Sequence, residues 1–371
     1  MYSGYTLLDG GAIAFDEIIK SINNAKSTIK INMFIWRADK IGTMVASALL
    51  DAANRGVKID ISVDRYGLVL ERAEESMESF FHTNPSVFER VKIAFLKWFY
   101  KTEKVPFEDL EKACKLRDLL LAHSNIKVEK DRFKADHSKY YIIDNEVLFL
   151  GGINIEDKEI WIDFKGRQYQ DYMVKIVDNR AIARFLDKIS GKNQQKTELF
   201  CVNLKSQNKL FEIKKVYLDI INNAEKELYI TMAYLSPIKE FEQAIIKAFE
   251  RGVKVVMTIP KSANFQDDLN KKTVKRLLIK TNNKIVVRFS PKMVHTKLIA
   301  SEKTISLGSS NVNKKAMFQL DEVNLLVKNE ECSFVRSIFD SIEENAKISS
   351  TVKSSEVKYN KIRAFLEGIL M

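Results

Sequence analysis

The chain has 371 residues, enough for two domains with separate cores, and its 60 Lys and Arg against 49 Asp and Glu leave it at +11 near neutral pH. With 46% hydrophobic and 29% charged residues it reads as a folded globular protein, and the positive excess favours polyanions, either nucleic acid or an anionic bilayer surface. Cys114, Cys201 and Cys332 give no disulfide framework, the four histidines give no metal-ligand spacing, and no apolar run approaches the ~18 residues of a membrane span.

The three cysteines, odd in number and widely spaced, make a reducing compartment the default, and the start, Met1-Tyr2-Ser3-Gly4-Tyr5, shows neither the basic lead-in nor the apolar core expected of a secretory leader. Ala14 to Ala25 carries apolar residues at helical spacing, at Phe15, Ile18, Ile19 and Ile22. Ile29 to Ile35 alternates as a strand. Thr43 to Asn54 is a second helix closed by Arg55-Gly56, and Val57 to Val63 a second strand with Asp64 at its end. This order predicts a mixed sheet with helices on its faces. Residues 68–122 then read as a helical insertion. Within it Phe88, Val91, Phe95, Trp98 and Phe99 share a helical face near Arg90, Lys92, Lys97, Lys101 and Lys104. Such a helix suits a membrane interface, but the expectation is that it packs on the domain with its lysines solvated.

From Asp136 to Asp157 the chain reads as a hairpin, with strands Tyr140 to Ile143 and Val147 to Leu150 joined by Asp144-Asn145-Glu146. Strand alternation sends His137 and Lys139 one way and Ser138 the other. Asn154 follows the Gly151-Gly152 pair, where backbone can bend tightly or approach a ligand closely. A histidine, a fixed cation and an amide donor on one surface make a phosphate site. Trp161 to Gly166 is a loop, Tyr172 to Val177 a strand beginning just after Asp171, and Arg180 to Ile189 a helix. The polar run 191–196 resembles a linker, ending a first domain at 190.

The second half repeats this plan over 197–348. It runs helix Ile213 to Ala224, strand Leu228 to Met232, helix Glu240 to Arg251 and strand Val253 to Ile259. A polar loop Asn264 to Asn270, a basic helix Lys271 to Ile279 and strand Ile285 to Phe289 follow. Then come His295, Lys297, Glu302, Gly308 and Asn311. His137 to Asn154 spans 17 positions and His295 to Asn311 spans 16, a difference that a shorter hairpin turn absorbs. Upstream, Ile22-Asn23-Asn24-Ala25 recurs at Ile221-Asn222-Asn223-Ala224, and Arg55-Gly56-Val57-Lys58 at Arg251-Gly252-Val253-Lys254, marking a duplicated domain. Gly56 precedes His137 by 81 residues and Gly252 precedes His295 by 43, so the first copy carries about 38 more. The tail, 349–371, is an exposed polar stretch followed by an amphipathic helix with Val357, Ile362, Phe365, Leu366, Ile369 and Leu370, expected to dock on the body.

Two sets of His-x-Lys-x4-acid, each followed by Gly and then Asn three residues on, resemble the phospholipase D superfamily. Within it the chain is most similar to bacterial cardiolipin synthases. Phe34-Ile35-Trp36-Arg37-Ala38-Asp39, Tyr169-Gln170-Asp171, Tyr234-Leu235-Ser236-Pro237 and Asp321-Glu322-Val323-Asn324 carry further likeness. The resemblance implies an α/β fold of two pseudo-twofold-related domains, each a mixed sheet flanked by helices, with the active site at their seam.

It implies that His137 is a nucleophile forming a phosphohistidine and His295 a general acid, with Lys139, Lys297, Asn154 and Asn311 holding the phosphate oxygens. The matching acceptors are Asp171 for His137 and Glu322, with Asp321 adjacent, for His295. The motif acids Asp144 and Glu302 are expected away from the phosphate, in structural roles, and no metal or cofactor is required. The implied reaction joins two phosphatidylglycerols into cardiolipin, with phosphatidylglycerol at a membrane surface as partner and no obligate protein partner. A phospholipase D-type hydrolase or metal-independent nuclease acting on nucleic acid is the alternative, and a non-enzymatic scaffold the third possibility. The expected place is cytoplasmic, peripheral on the inner face of the membrane.

Overall fold

Ile29, Ile31 and Met33 alternate with polar residues along the strand Thr28–Met33, and this period lets the strand sit centrally in a sheet with its apolar side on helices. The structure is a computed structural model and describes residues 2–74, 78–102, 107, 109–191, 199–205 and 210–370. The chain divides into two compact units. One comprises Leu8–Gln168 and Tyr172–Ala183; the other comprises Met1–Leu7, Tyr169–Asp171 and Arg184–Met371. Apart from Gly191, the linker expected at 191–196 lies outside the described residues, as do 75–77, 103–106 and 108 of the insertion.

In the unit built on Leu8–Gln168 the strand order is Tyr172–Ile176, Val147–Gly151, Tyr140–Ile143, Thr28–Met33, Lys58–Val63, Ile126–Glu129. The last three run parallel and the others antiparallel. Parallel neighbours need crossovers, which the helices Lys40–Asn54 and Leu110–Ala122 provide. Asp39 starts the first of these: its carboxylate accepts the Gly42 N–H at 2.8 Å, so the helix begins three residues before the expected Thr43. Phe15, Ile18 and Ile22 of the Gly11–Asn24 helix and Val45 and Leu49 of Lys40–Asn54 fill the core against the sheet.

The other unit repeats the arrangement within a nine-stranded sheet. Its middle runs Glu322–Lys328, Thr304–Gly308, Lys297–Ser301, Glu227–Met232, Lys254–Pro260, Val286–Ser290, with the same directions. The helix Asp267–Lys280 begins inside the stretch expected to be loop. Asp267 and Asp268 lie in its first turn, where acids favour a helix start. It holds the place that Leu110–Ala122 holds in the first copy. The extra elements of the first copy are therefore the helices Gly67–Ala73 and Val87–Tyr100.

A buried ion network fastens this insertion to its own unit. Arg37 Nε donates to Glu156 at 2.7 Å and its Nη2 lies 3.2 Å from Glu74, while Lys158 reaches both carboxylates. Burial would raise the Glu74 carboxyl, but Lys158, Arg37 and Arg167 outweigh it and hold the group far below the usual range. The Val87–Tyr100 helix itself differs from expectation. Ile93, Leu96, Phe99 and Tyr100 pack inward, whereas Phe88, Val91, Phe95 and Trp98 are exposed.

The terminal helix Lys361–Leu370 docks on the body as expected, though with different residues inward. It packs against Asp267–Lys280 with Ala364 and Glu367 buried, while Ile362, Phe365 and Ile369 face solvent. Glu367 accepts the Leu269 N–H at 2.8 Å, and burial pushes its carboxyl up to about 7. A specific polar tie thus adds to the apolar contacts of buried Val357 and half-buried Leu366 and Leu370. Of the preceding polar stretch, Ser350–Thr351 adds a short edge strand to Val286–Ser290.

Candidate active site

The two motif hairpins are built alike, and their difference lies in the turn. Three residues, Asp144 to Glu146, separate Tyr140–Ile143 from Val147–Gly151, with Asp144 and Asn145 at φ 54° and 56°. Two residues, Glu302 and Lys303, separate Lys297–Ser301 from Thr304–Gly308. The single extra turn residue accounts for the 17-against-16 spacing.

The motif acids do the same structural work in both copies. Asp144 accepts the N–H groups of Lys26, Ser27 and Thr28 at 2.8–2.9 Å. Glu302 accepts those of Glu225, Lys226 and Glu227 at 2.9–3.3 Å. Each ties the hairpin turn to the loop entering the neighbouring strand. Burial would raise both carboxyls, but these backbone donors prevail and hold them below their ordinary values.

In the second copy, His295 is 6% exposed and firmly oriented. The short strand Met293–Val294 pairs in parallel with Tyr169–Gln170, so the His295 N–H donates to Gln170 O at 2.7 Å. The next residue, Asp171, is thereby set beside the ring, and its Oδ2 lies 2.8 Å from His295 Nδ1. Lys297 Nζ is 3.1 Å from the same carboxylate oxygen and also donates to the His295 carbonyl. A carboxylate flanked by an ammonium takes the Nδ1 proton as a hydrogen bond, which leaves Nε2 as the reactive nitrogen. Lys297 also lies 3.0 Å from Nδ1, an approach made tolerable by the anion they share.

The sequence comparison gave Glu322 to His295 and Asp171 to His137. The structure gives Asp171 to His295. Glu322 Oε2 accepts from Ser309 Oγ at 2.5 Å, and Asp321 accepts the Lys205 N–H. The pairing of two very short strands, 124 residues apart in sequence, decides this, and no local pattern announces it.

In the first copy, Lys139 is fully buried and donates to the His137 carbonyl, as Lys297 does to that of His295. Each motif lysine thus reaches back to its own histidine. The edge of the Phe34 ring meets the His137 ring at 4.7 Å between centroids, and Lys139 Nζ sits 5.2 Å over Phe34. Tyr169 and Tyr234 flank His295, at 6.1 and 5.9 Å between ring centroids. The sequence reading assigned no role to these three aromatics, although all fall in its stretches of family likeness.

Asn311 is oriented by the Tyr234 N–H, which donates to its Oδ1 at 3.3 Å, so Nδ2 is the end not engaged there. Asn154 Nδ2 donates to Glu156 Oε1 at 3.3 Å, and its Oδ1 is buried without a hydrogen-bond partner among the described residues. The amide retains a second N–H for a ligand.

The glycine three residues before each asparagine is set by strand packing. A Cβ at Gly151 would lie 2.1 Å from Tyr172 O, and one at Gly308 would lie 2.4 Å from Val323 O. Gly151→Ala and Gly308→Ala should each lower stability by about 1–3 kcal/mol, because the clash is with backbone that cannot swing aside. Denaturant unfolding of each variant checks this. Midpoints equal to that of the parent would show that the strands can part without cost.

A family model described as "Cardiolipin synthase, PLD-like domain" matches residues 18–191 and 217–343, most of the chain and both copies. The chain belongs to this phospholipase D-like family. The phospholipase D-like relatives include "Cardiolipin synthase" of Clostridium perfringens strain SM101, 26% identical over 365 residues, covering 91% of this chain and 69% of the relative. "Cardiolipin synthase A" of Buchnera aphidicola subsp. Baizongia pistaciae is 24% identical over 383 residues, covering 95% and 70%. Among solved structures, phosphatidylserine synthase from Haemophilus influenzae Rd KW20 shares the fold with a TM-score of 0.71 at 15% identity, over 99% of this chain and 92% of that one. The phospholipase D-like family and its repeated α/β fold identify the chain as a phosphodiester-cleaving or -transferring enzyme.

Proposed function

We propose that this protein is a phosphatidyltransferase that condenses two phosphatidylglycerols into cardiolipin and releases glycerol. The observation that carries the proposal is the His295 ring, held at Nδ1 by Asp171 with Lys297 on the same carboxylate oxygen. A diester phosphorus is shielded by anionic oxygens and its alkoxide leaving group is strongly basic, so both a nucleophile and a proton donor are required.

In the proposed sequence His137 attacks phosphorus and forms an N–P bond. The P–O bond to the departing glycerol breaks, and His295 gives that oxygen its proton. The terminal hydroxyl of a second phosphatidylglycerol then loses its proton to His295 and attacks phosphorus, and the N–P bond breaks. Two phosphatidylglycerols in, cardiolipin and glycerol out: the balance closes. Lys139 and Lys297 offset charge on the phosphate, and Asn154 and Asn311 donate to it. The names of the curated relatives support a phospholipid substrate. The basic balance of the chain supports action at an anionic membrane surface, peripheral on the cytoplasmic face. Among the described residues no helix is long and apolar enough to cross a membrane.

Incubation with phosphatidylglycerol vesicles, followed by lipid and glycerol analysis, tests the reading. Cardiolipin and glycerol in equal amounts, unaffected by chelator, are expected. Phosphatidic acid as the sole lipid product would make the enzyme a hydrolase, and cleavage of nucleic acid with no lipid turnover would make it a nuclease.

A further inference from the structure

The Val87–Tyr100 helix is apolar on two sides, and only one is covered. Its inner side holds Ile93, Leu96, Phe99 and Tyr100 against the unit. Its outer side presents Phe88 at 79%, Val91 at 65% and Trp98 at 74% exposure, with Val87 and Phe95 beside them. A continuous row of large apolar side chains in water costs free energy unless something covers it.

The charged residues of the helix and its C-cap that border the row are all basic. Arg90 and Lys101 are exposed, and Lys92 and Lys97 half-exposed, along its borders. The one acid of the helix, Glu89, is buried in the capping box with Ser86 and in a two-point contact with Arg65, both at 3.1 Å. Nothing on the outer surface of the helix therefore repels an anion.

We infer that this outer face is a docking surface for an anionic lipid bilayer. Phe88, Phe95 and Trp98 enter the boundary between headgroups and acyl chains, and the bordering cations meet lipid phosphates. The row also leads toward chemistry in its own unit. Lys92 Nζ sits 5.0 Å over the Tyr66 ring, Tyr66 lies 6.1 Å from Phe34, and Phe34 meets His137 at 4.7 Å. Anchored by Arg65, which follows Asp64 at the end of Lys58–Val63, the helix is held rigidly relative to this aromatic path. A lipid drawn from the docked surface thus has apolar side chains along its route to the histidine. In purpose the inference rests on the lipid-substrate reading above, but its test is separate.

The test is flotation of the whole protein with phosphatidylglycerol vesicles and with phosphatidylcholine vesicles, for the parent and for a Phe88→Ser, Trp98→Ser double variant. Both substituted side chains are exposed, and an unchanged melting curve confirms the fold. The parent should float preferentially with the anionic vesicles, and the double variant should lose at least about tenfold in partitioning. Bromine-labelled acyl chains should quench fluorescence in the parent and not in Trp98→Phe.

Turnover of dihexanoyl phosphatidylglycerol below its micellar threshold should be the same in parent and double variant. Equal flotation of parent and double variant would overturn the surface, as would no flotation of the parent. A parent dimer that the double variant dissociates would also overturn it, since a second copy would then be the occupant. Intact docking with no turnover of either lipid form would remove the transferase reading and leave the surface standing.

Discussion

His137→Ala is expected to lower turnover of phosphatidylglycerol by more than about 1,000-fold, and to do so for any leaving group. The reason is covalent. Without an imidazole at this position no N–P bond forms, and an improved leaving group cannot replace a missing nucleophile. A p-nitrophenyl phosphodiester should therefore be as poor a substrate for the variant as the lipid. Rapid quenching with labelled phosphatidylglycerol should trap an acid-labile, base-stable adduct on the parent. With a labelled p-nitrophenyl phosphodiester, whose leaving group departs unprotonated, the adduct should accumulate in His295→Ala, where entry of the second alcohol lacks its proton acceptor, and be absent from His137→Ala. An adduct on His137→Ala would transfer the nucleophile's role to His295.

Asp171→Asn is expected to have a selective effect. With glycerol as leaving group the rate should fall by about 100- to 10,000-fold, the range seen when the orienting carboxylate of a catalytic histidine is neutralised. An amide at this position can offer N–H to Nδ1 and so choose the wrong tautomer, and it leaves the buried Lys297 without its anion. With p-nitrophenolate, which departs unprotonated, the loss in formation of the covalent intermediate should shrink to less than about tenfold. That contrast separates the observed pairing from the one inferred by sequence comparison. If Asp171 acted through the nucleophile, both leaving groups would suffer alike. Burst kinetics with the two substrates decide the matter.

The sequence carried the local structure well where a period existed to be read. Phe15, Ile18 and Ile22 mark one face of a helix, and Ile29, Ile31 and Met33 one face of a strand, and both lie in the core as that spacing requires. The repeated His, Lys, Gly and Asn positions predicted two equivalent hairpins, and the one-residue discrepancy resided in the turn, where a chain tolerates it. What could not be read was contact between segments with no period of their own. Tyr169–Gln170 and Met293–Val294 are two residues each, yet their pairing chooses the partner of His295.

The amphipathic helices expose a second limit. Periodicity finds apolar positions, but Val87–Tyr100 is apolar on both sides, and only the packed structure tells which side is covered. In Lys361–Leu370 a buried glutamate and an alanine take the inward positions that apolar residues were expected to fill.

The placement of Tyr169–Asp171 with the later part of the chain has a consequence for how this gene could be cut or shuffled. A protein beginning at the second repeat would possess an imidazole stripped of its carboxylate. The second half of the duplication is thus not a transplantable module. The later copy has come to depend on the earlier one through a three-residue loan, and a split version should regain function only when the fragment bearing Asp171 is supplied alongside.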